Sequence, residues 1–304
     1  MKPPQNRHPG PRPQGSRGPP GGPSPGPGPN RSPRGPEPER ARLGLGARPA
    51  NAHPRPRPPA PATADAPRGT VWLYGQHAVA AALANPARRL RRLMVTEEAA
   101  AALGERLRQP WAIAPERVDR ARLDQLLGRD VVHQGLALLA DPLATPTLQH
   151  ALERPGPLLV LDQVSDPRNV GAILRCAAAF GAAAVITQDR NAPEETGALA
   201  KAASGALETV PLMRAVNIAR TLVALKAADL WVVGLDAGGT GALSGPALAG
   251  RRIALVLGAE GSGLRRLTRE TCDEVAGLAT KRVMESLNVA AAAAVALYEL
   301  TRLT

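Results

Sequence analysis

Three short clusters hold the side chains of this sequence that could do chemistry. The first, Asp162–Arg175, reads D-Q-V-S-D-P-R-N-V-G-A-I-L-R. Asp166-Pro167 ends a strand connection, because proline disfavours helix for the residue before it. Asn169 then lies at the start of a helix whose apolar stripe is centred near Val170 and Ala177. At about 100° per residue Arg175 falls well off that stripe, so its guanidinium projects either into a cleft or into water.

The second cluster, Ile253–Leu264, reads I-A-L-V-L-G-A-E-G-S-G-L. Ile253–Leu257 has the length and composition of a buried strand. It runs into a loop with glycines at 258, 261 and 263 and one acid, Glu260. Open α/β folds place ligands at such strand ends, although a lone acid among glycines also reads as a turn residue facing solvent. The loop is neither the G-x-G-x-x-G of dinucleotide sites nor a P-loop ending in Gly-Lys-Ser/Thr.

The third cluster, Met284–Val289, reads M-E-S-L-N-V and precedes an alanine-rich segment. Ser286 is the expected N-cap. On that reading Asn288 sits one turn in, has no capping duty and is free for a functional role. The alanines at 290–294 let another backbone come close.

These clusters need a scaffold, and apolar patterning predicts one. From Leu158 onward strands alternate with helices: strands at 158–161, 183–187, 206–211, 230–235, 253–257 and 274–278, and helices at 170–180, 196–203, 215–227 and 287–303. Such alternation implies a parallel sheet covered on both faces. Upstream, strands are expected at 71–74, 90–95, 111–113 and 134–139, with helices at 78–83, 99–108 and 120–127, a compact α/β unit. Arg88, Arg89, Arg91 and Arg92 crowd together there and read either as phosphate contacts or as the solvated face of a strand. His77 and His133 are too isolated for a metal site, and each reads as a histidine satisfied by its neighbours.

The expected organisation is a tail over 1–68, a small α/β unit over 69–142, a Pro-bearing linker over 143–156 and an α/β domain over 157–304. The chain has 304 residues and a net charge of +12, with a pI near 11.1. Residues 1–70 hold twelve Lys or Arg and three acids, so most of that charge lies in the tail. The tail also carries about two thirds of the 32 prolines and cannot bury enough apolar surface to offset its chain entropy, so disorder is expected. Its arginines fit either loose contact with RNA phosphates or a solubilising role. No apolar run approaches the ~20 residues needed to cross a bilayer, and the N-terminus has no apolar core of a secretory signal. Cys176 and Cys272 read as reduced packing residues. A cytoplasmic protein is expected.

In this order and spacing the clusters resemble the three motifs of the SpoU (TrmH) family of RNA ribose 2′-O-methyltransferases, over about Val71 to Leu303. D-P-R-N-V-G-A-I-L-R matches the first, L-V-L-G-A-E-G-S-G-L-R-R-L-T the second and S-L-N-V the third. Upstream, Y-G-Q-H-A-V and V-H-Q-G-L-A look like the small substrate-binding domain of the subgroup that modifies a guanosine in 23S ribosomal RNA. The resemblance implies a trefoil knot in the catalytic domain and a homodimer with sites near its interface. It implies S-adenosylmethionine held by backbone groups, which carry over to Gly258, Leu278 and Leu287. Asn169, Arg175, Glu260 and Asn288 match the polar active-site set. It places Arg175 on the substrate phosphate and hydroxyl, Glu260 on Arg175 or the nucleotide, and the two asparagines on the loops or ribose. The sequence departs from the family at Ala290 and Ala291, where Ser or Ser-Asn is usual, and at Ala279, where proline is usual. Two rivals remain open: a transfer RNA 2′-O-methyltransferase, and a non-catalytic ribosome-assembly factor that retains the fold.

Overall fold

A computed structural model describes residues 66–190, 192–281 and 287–302. The expected tail over 1–68 falls almost wholly outside these residues, and so does Ser286.

The small unit begins with β1 (Val71–Tyr74), α1 (Gln76–Ala84), β2 (Leu90–Val95) and α2 (Glu97–Arg106). It continues with β3 (Pro115–Arg117), α3 (Arg120–Leu127) and β4 (Leu136–Ala140). The sheet order is β1-β4-β2-β3, with β4 antiparallel to β1 and β2. Helix starts are fixed locally: the side chains of Thr96 and Asp119 accept the Ala99 and Arg122 amides at the heads of α2 and α3. The strand expected at 111–113 is not formed. That segment follows the cis Gln109–Pro110 bond as a turn, with Trp111 tucked inward, and the pairing residues come later, at Pro115–Arg117.

The linker carries α4 (Leu148–Glu153). There follow β5 (Leu158–Asp162), α5 (Pro167–Ala179), β6 (Ala184–Gln188), α6 (Gly197–Ala203), β7 (Leu212–Ala215), α7 (Ile218–Ala227), β8 (Leu230–Leu235) and β9 (Gly241–Ala242). The rest is β10 (Arg252–Gly258), α8 (Arg266–Thr271), β11 (Glu274–Gly277) and α9 (Val289–Thr301). The expected strand at 206–211 is instead a 3-10 turn over Ala206–Glu208, and β7 starts only at Leu212.

The seven strands of the large sheet run parallel in the order β7-β6-β5-β10-β8-β11-β9. The chain lays down β8 before β10, and β10 then fills the place between β5 and β8. β10 is therefore flanked on both sides and buried from Ile253 to Leu257, which explains its uninterrupted apolar sequence. Because the sheet is parallel, all strands deliver their C-terminal loops to one edge. The three clusters come together there.

One apolar core continues from the small sheet, through Leu73 and Leu136, past Leu199 and Ala203 of α6, to Ile173 and Leu257 of the large unit. Gly197 makes the junction possible, since a Cβ there would lie 2.3 Å from the Tyr74 ring and 2.4 Å from the Trp72 carbonyl oxygen. Arg88 closes the junction from the side. Its side chain is fully buried, pairs with Glu195 and Glu208 at 2.5 Å each, and donates to the Asp141 carbonyl at 2.9 Å.

Candidate active site

Glu260, at the tip of the loop after β10, is the hub of the site. Its Oε1 accepts hydrogen bonds from Asn288 Nδ2 at 2.7 Å, Asn169 Nδ2 at 3.2 Å and the Val289 amide at 3.3 Å. Asn288 Nδ2 also donates to Asn169 Oδ1 at 3.0 Å. Three elements far apart in sequence thus converge on one carboxylate oxygen. The head of α9 adds its own partial positive charge, which favours an acid there. Among the described residues Glu260 Oε2 has no hydrogen-bond partner, and the side chain is exposed, so that oxygen faces whatever enters.

The N-cap of α9 differs from the sequence expectation. Asn288, not Ser286, is the N-cap, and its Oδ1 accepts the Ala290 and Ala291 amides at 2.9 and 3.4 Å. One carboxamide therefore does two jobs, its oxygen capping the helix and its nitrogen holding Glu260. Asn288 carries the capping duty because the helix starts one residue after it.

Two acids outside the expected site set brace the glycine loop. Asp162, fully buried at the end of β5, accepts the Arg265 amide at 3.1 Å and its Nε at 2.7 Å, and pairs with its guanidinium at 2.6 Å. Asp236, just past β8, accepts the Gly238 amide at 2.8 Å and the Leu264 amide at 3.4 Å, and pairs with Arg269 at 3.1 Å. Burial pushes the Asp236 carboxyl up, but these donors outweigh it and hold the group below the usual carboxylate range. The signal was legible: β5 ends in Leu-Asp, and an Asp directly follows the last Leu of β8. The loop also folds tightly on itself, since a Cβ on Gly258 would lie 2.2 Å from the Gly263 carbonyl carbon.

Gly258 is the last residue of β10, Leu278 follows the last residue of β11, and Leu287 immediately precedes the α9 cap. Leu278 is half-buried, whereas Leu287 is 43% exposed. In sequence Gly258 lies two residues before Glu260, and Leu287 one residue before Asn288, which holds Glu260.

Arg175 is not part of the hub. It is exposed on α5, makes no bond to Glu260 or any other described residue, and lines an open cleft of about 400 Å³ between the two sheet units. His77 lines the same cleft from α1 and is likewise without a bonding partner among the described residues, contrary to expectation. His133 does meet the expectation. It is buried, accepts the Gly135 amide on Nδ1 at 3.0 Å and contacts Asp124 through Nε2 at 2.9 Å. The arginine cluster divides: Arg88 is internal, Arg91 pairs with Asp141, Arg92 pairs with Glu116 and Arg89 stays mostly in water. Both cysteines are free and half-buried, and burial pushes the Cys272 thiol up to about 11.

Comparison with known proteins gives a consistent result. Residues 156–298 match the SpoU rRNA Methylase family, and residues 72–146 match the RNA 2′-O ribose methyltransferase substrate binding family. The chain is 40% identical over 245 residues to a 23S rRNA (guanosine-2′-O-)-methyltransferase RlmB of Burkholderia sp, covering 76% of this chain and 95% of the relative. It is 42% identical over 246 residues to the protein of that name from Ralstonia nicotianae, covering 76% and 94%. Among solved structures, an RNA 2′-O ribose methyltransferase superposes with a TM-score of 0.64 at 26% identity, covering 78% of this chain and 90% of that one. The SpoU methyltransferase AviRb from Streptomyces viridochromogenes, solved with AdoMet, shares the fold with a TM-score of 0.63 at 21% identity, covering 77% and 90%.

Proposed function

The chain belongs to the SpoU rRNA methylase family, and from that premise we propose that it methylates the ribose 2′-oxygen of a guanosine in 23S ribosomal RNA, with S-adenosylmethionine as donor. The observation that carries this reading is the convergence of Asn169 and Asn288 on one oxygen of Glu260, with the other oxygen left facing solvent. A ribose hydroxyl is a weak nucleophile, so the enzyme must orient it and take up its proton. Glu260 Oε2 accepts a hydrogen bond from the nucleotide, the 2′-hydroxyl foremost. Asn169, Asn288 and the Val289 amide hold the carboxylate so that it does not reorganise during the reaction.

The residues around the hub fit the cofactor. When bound, S-adenosylmethionine supplies an electrophilic methyl group that needs no acid on its leaving group. A ligand with no phosphate needs main-chain donors and apolar surface rather than a cationic cradle, and the loop and strand-end positions Gly258, Leu278 and Leu287, with two leucines partly exposed, are of that kind. Ala290 in place of serine is compatible with this arrangement, because its amide is already held by Asn288.

Residues 69–142 act as the RNA substrate-binding unit, 143–156 as the linker and 157–304 as the catalytic domain, whose C-terminal part forms the trefoil knot. The insertion of β10 between β5 and β8 supports the knot by bringing late chain back among earlier strands. Two copies pair as a homodimer. An apolar face of α5 and α9, with Ala179, Val295 and Tyr298 exposed and Phe180 edge-on to Tyr298 at 6.4 Å, supports that pairing. Arg175 holds a phosphate of the substrate. A bacterial ribosomal RNA substrate puts the protein in the cytoplasm. Incubating the purified protein with labelled S-adenosylmethionine and ribosomal or transfer RNA tests the proposal. Label in 23S rRNA supports it, label in transfer RNA alone replaces it with the transfer RNA reading, and label in neither removes both.

A further inference from the structure

We infer that the cleft between the two sheet units is a subsite for a single RNA phosphodiester, gripped by Arg175 from α5 and by His77 from α1. The inference rests on the methyltransferase reading and gives the substrate a second point of attachment, apart from the Glu260 hub.

In the small unit Arg88, Arg91 and Arg92 all have carboxylate partners. Arg175 and His77 are exposed, line one cleft of about 400 Å³, and bond to no described residue. Ser204 adds a hydroxyl to the same wall. Among the described residues no acid lines the cleft. The nearest in sequence, Glu208, sits inside the 3-10 turn that forms one rim, and it is already held by Arg88 and by Asn85 Nδ2 at 2.7 Å. A guanidinium fork, an imidazole and a hydroxyl converging without an opposing carboxylate suit an anion. RNA offers one anion in every linkage.

The geometry is fixed in advance. His77 and Arg175 come from different units, so their separation is defined only if the units are locked together. The buried Arg88 pairs and the packing of Tyr74 over Gly197 supply that lock. Arg175 follows Asn169 by six residues on α5, a rise of about 9 Å, so a strand held in the cleft can still present a neighbouring nucleotide to the hub. A nucleobase is a poorer fit, because among the described residues no Phe, Tyr or Trp face lines the cleft for stacking.

The test uses the full-length chain and protein-free 23S rRNA transcript, with Kd measured across a range of KCl concentrations. His77→Ala is expected to weaken RNA binding about three- to tenfold, the scale of one ordinary solvent-exposed hydrogen bond, with S-adenosylmethionine affinity unchanged. His77→Arg, which carries a fixed charge, is expected to restore affinity and to steepen the log–log salt slope relative to His77→Ala by about 0.7, one phosphate of single-stranded RNA. His150→Ala, another exposed histidine, serves as comparator. RNA binding by His77→Ala equal to that of the wild type would overturn the subsite, as would identical salt slopes for the Ala and Arg variants. Methyl transfer by the wild type to the same transcript reads out the underlying function separately: binding effects at His77 without any methylation would remove the enzyme reading and leave the subsite standing.

Discussion

Asn288 Nδ2 lies 2.7 Å from Glu260 Oε1 while Asn288 Oδ1 caps α9 through the Ala290 and Ala291 amides, so a single side chain links helix stability to the posture of the acid. The two duties can be separated by substitution. Asn288→Ala removes both and should cost about 1 kcal/mol of stability from the lost cap, together with most of the methyl transfer. Asn288→Asp keeps an oxygen for the cap but places a carboxylate against Glu260. It should unfold within a few degrees of the wild type yet lose activity about 100-fold or more, the scale of removing one preorganised donor. Thermal unfolding and initial rates measured side by side decide the matter. Equal losses of stability in the two variants would contradict the division of labour.

Glu260→Gln tests the acid itself. The substitution keeps the shape and leaves a carbonyl oxygen for Asn169, Asn288 and Val289, but removes the charge on the oxygen that faces the nucleotide. The rate at saturating RNA should fall about 10²–10⁴-fold, with little change in the unfolding midpoint. A fall in RNA affinity alone, with the saturated rate intact, would make Glu260 a binding group instead.

Arg88→Met should be among the most damaging substitutions outside the hub. It leaves Glu195 and Glu208 beside a buried apolar group without a counter-charge. Breaking one partner out of a buried ion cluster costs about 3–5 kcal/mol. Denaturant unfolding should show that loss. A cost below about 1 kcal/mol would mean that the two units are not locked through this residue.

The Asp236 carboxyl sets a sign for acid sensitivity. Its folded value lies below that of the unfolded chain, for which the ordinary value is 3.8. Its contribution is therefore complete above the unfolded value and is lost as pH falls through the folded one. Asp236→Asn should be less stable than the wild type at neutral pH, and the gap should narrow as the pH drops below about 4. Unfolding midpoints measured from pH 7 down to pH 3 check this, and a gap that widens with acid would reverse the assignment.

Much of this architecture was legible in the sequence, and the parts that were not share physical causes. β10 and β5 read correctly because strands buried on both faces are uninterrupted apolar runs. α8 was missed because R-L-T-R-E-T spans less than two turns and shows only one buried residue, Thr268. The segment at 111–113 looked like a strand on composition, yet its apolar side chains pack as a turn while Pro115–Arg117, exposed along its length, makes the pairing. At the site, Asn169, Glu260 and Asn288 were singled out one by one, but no local pattern could show that they meet, since that depends on β10 entering between β5 and β8. The direction of Arg175 was open for a similar reason. Its position off the apolar stripe was visible, whereas the cleft it lines is made by a different unit.

The direct measurement is mass spectrometry of nucleosides from 23S rRNA of a strain lacking the enzyme, after incubation with the purified protein and S-adenosylmethionine. The account predicts one new 2′-O-methylguanosine per RNA with the wild type and none above background with Glu260→Gln. A methyl group on a base, or on a ribose other than that of guanosine, would contradict it, as would full 2′-O-methylation by the Glu260→Gln protein.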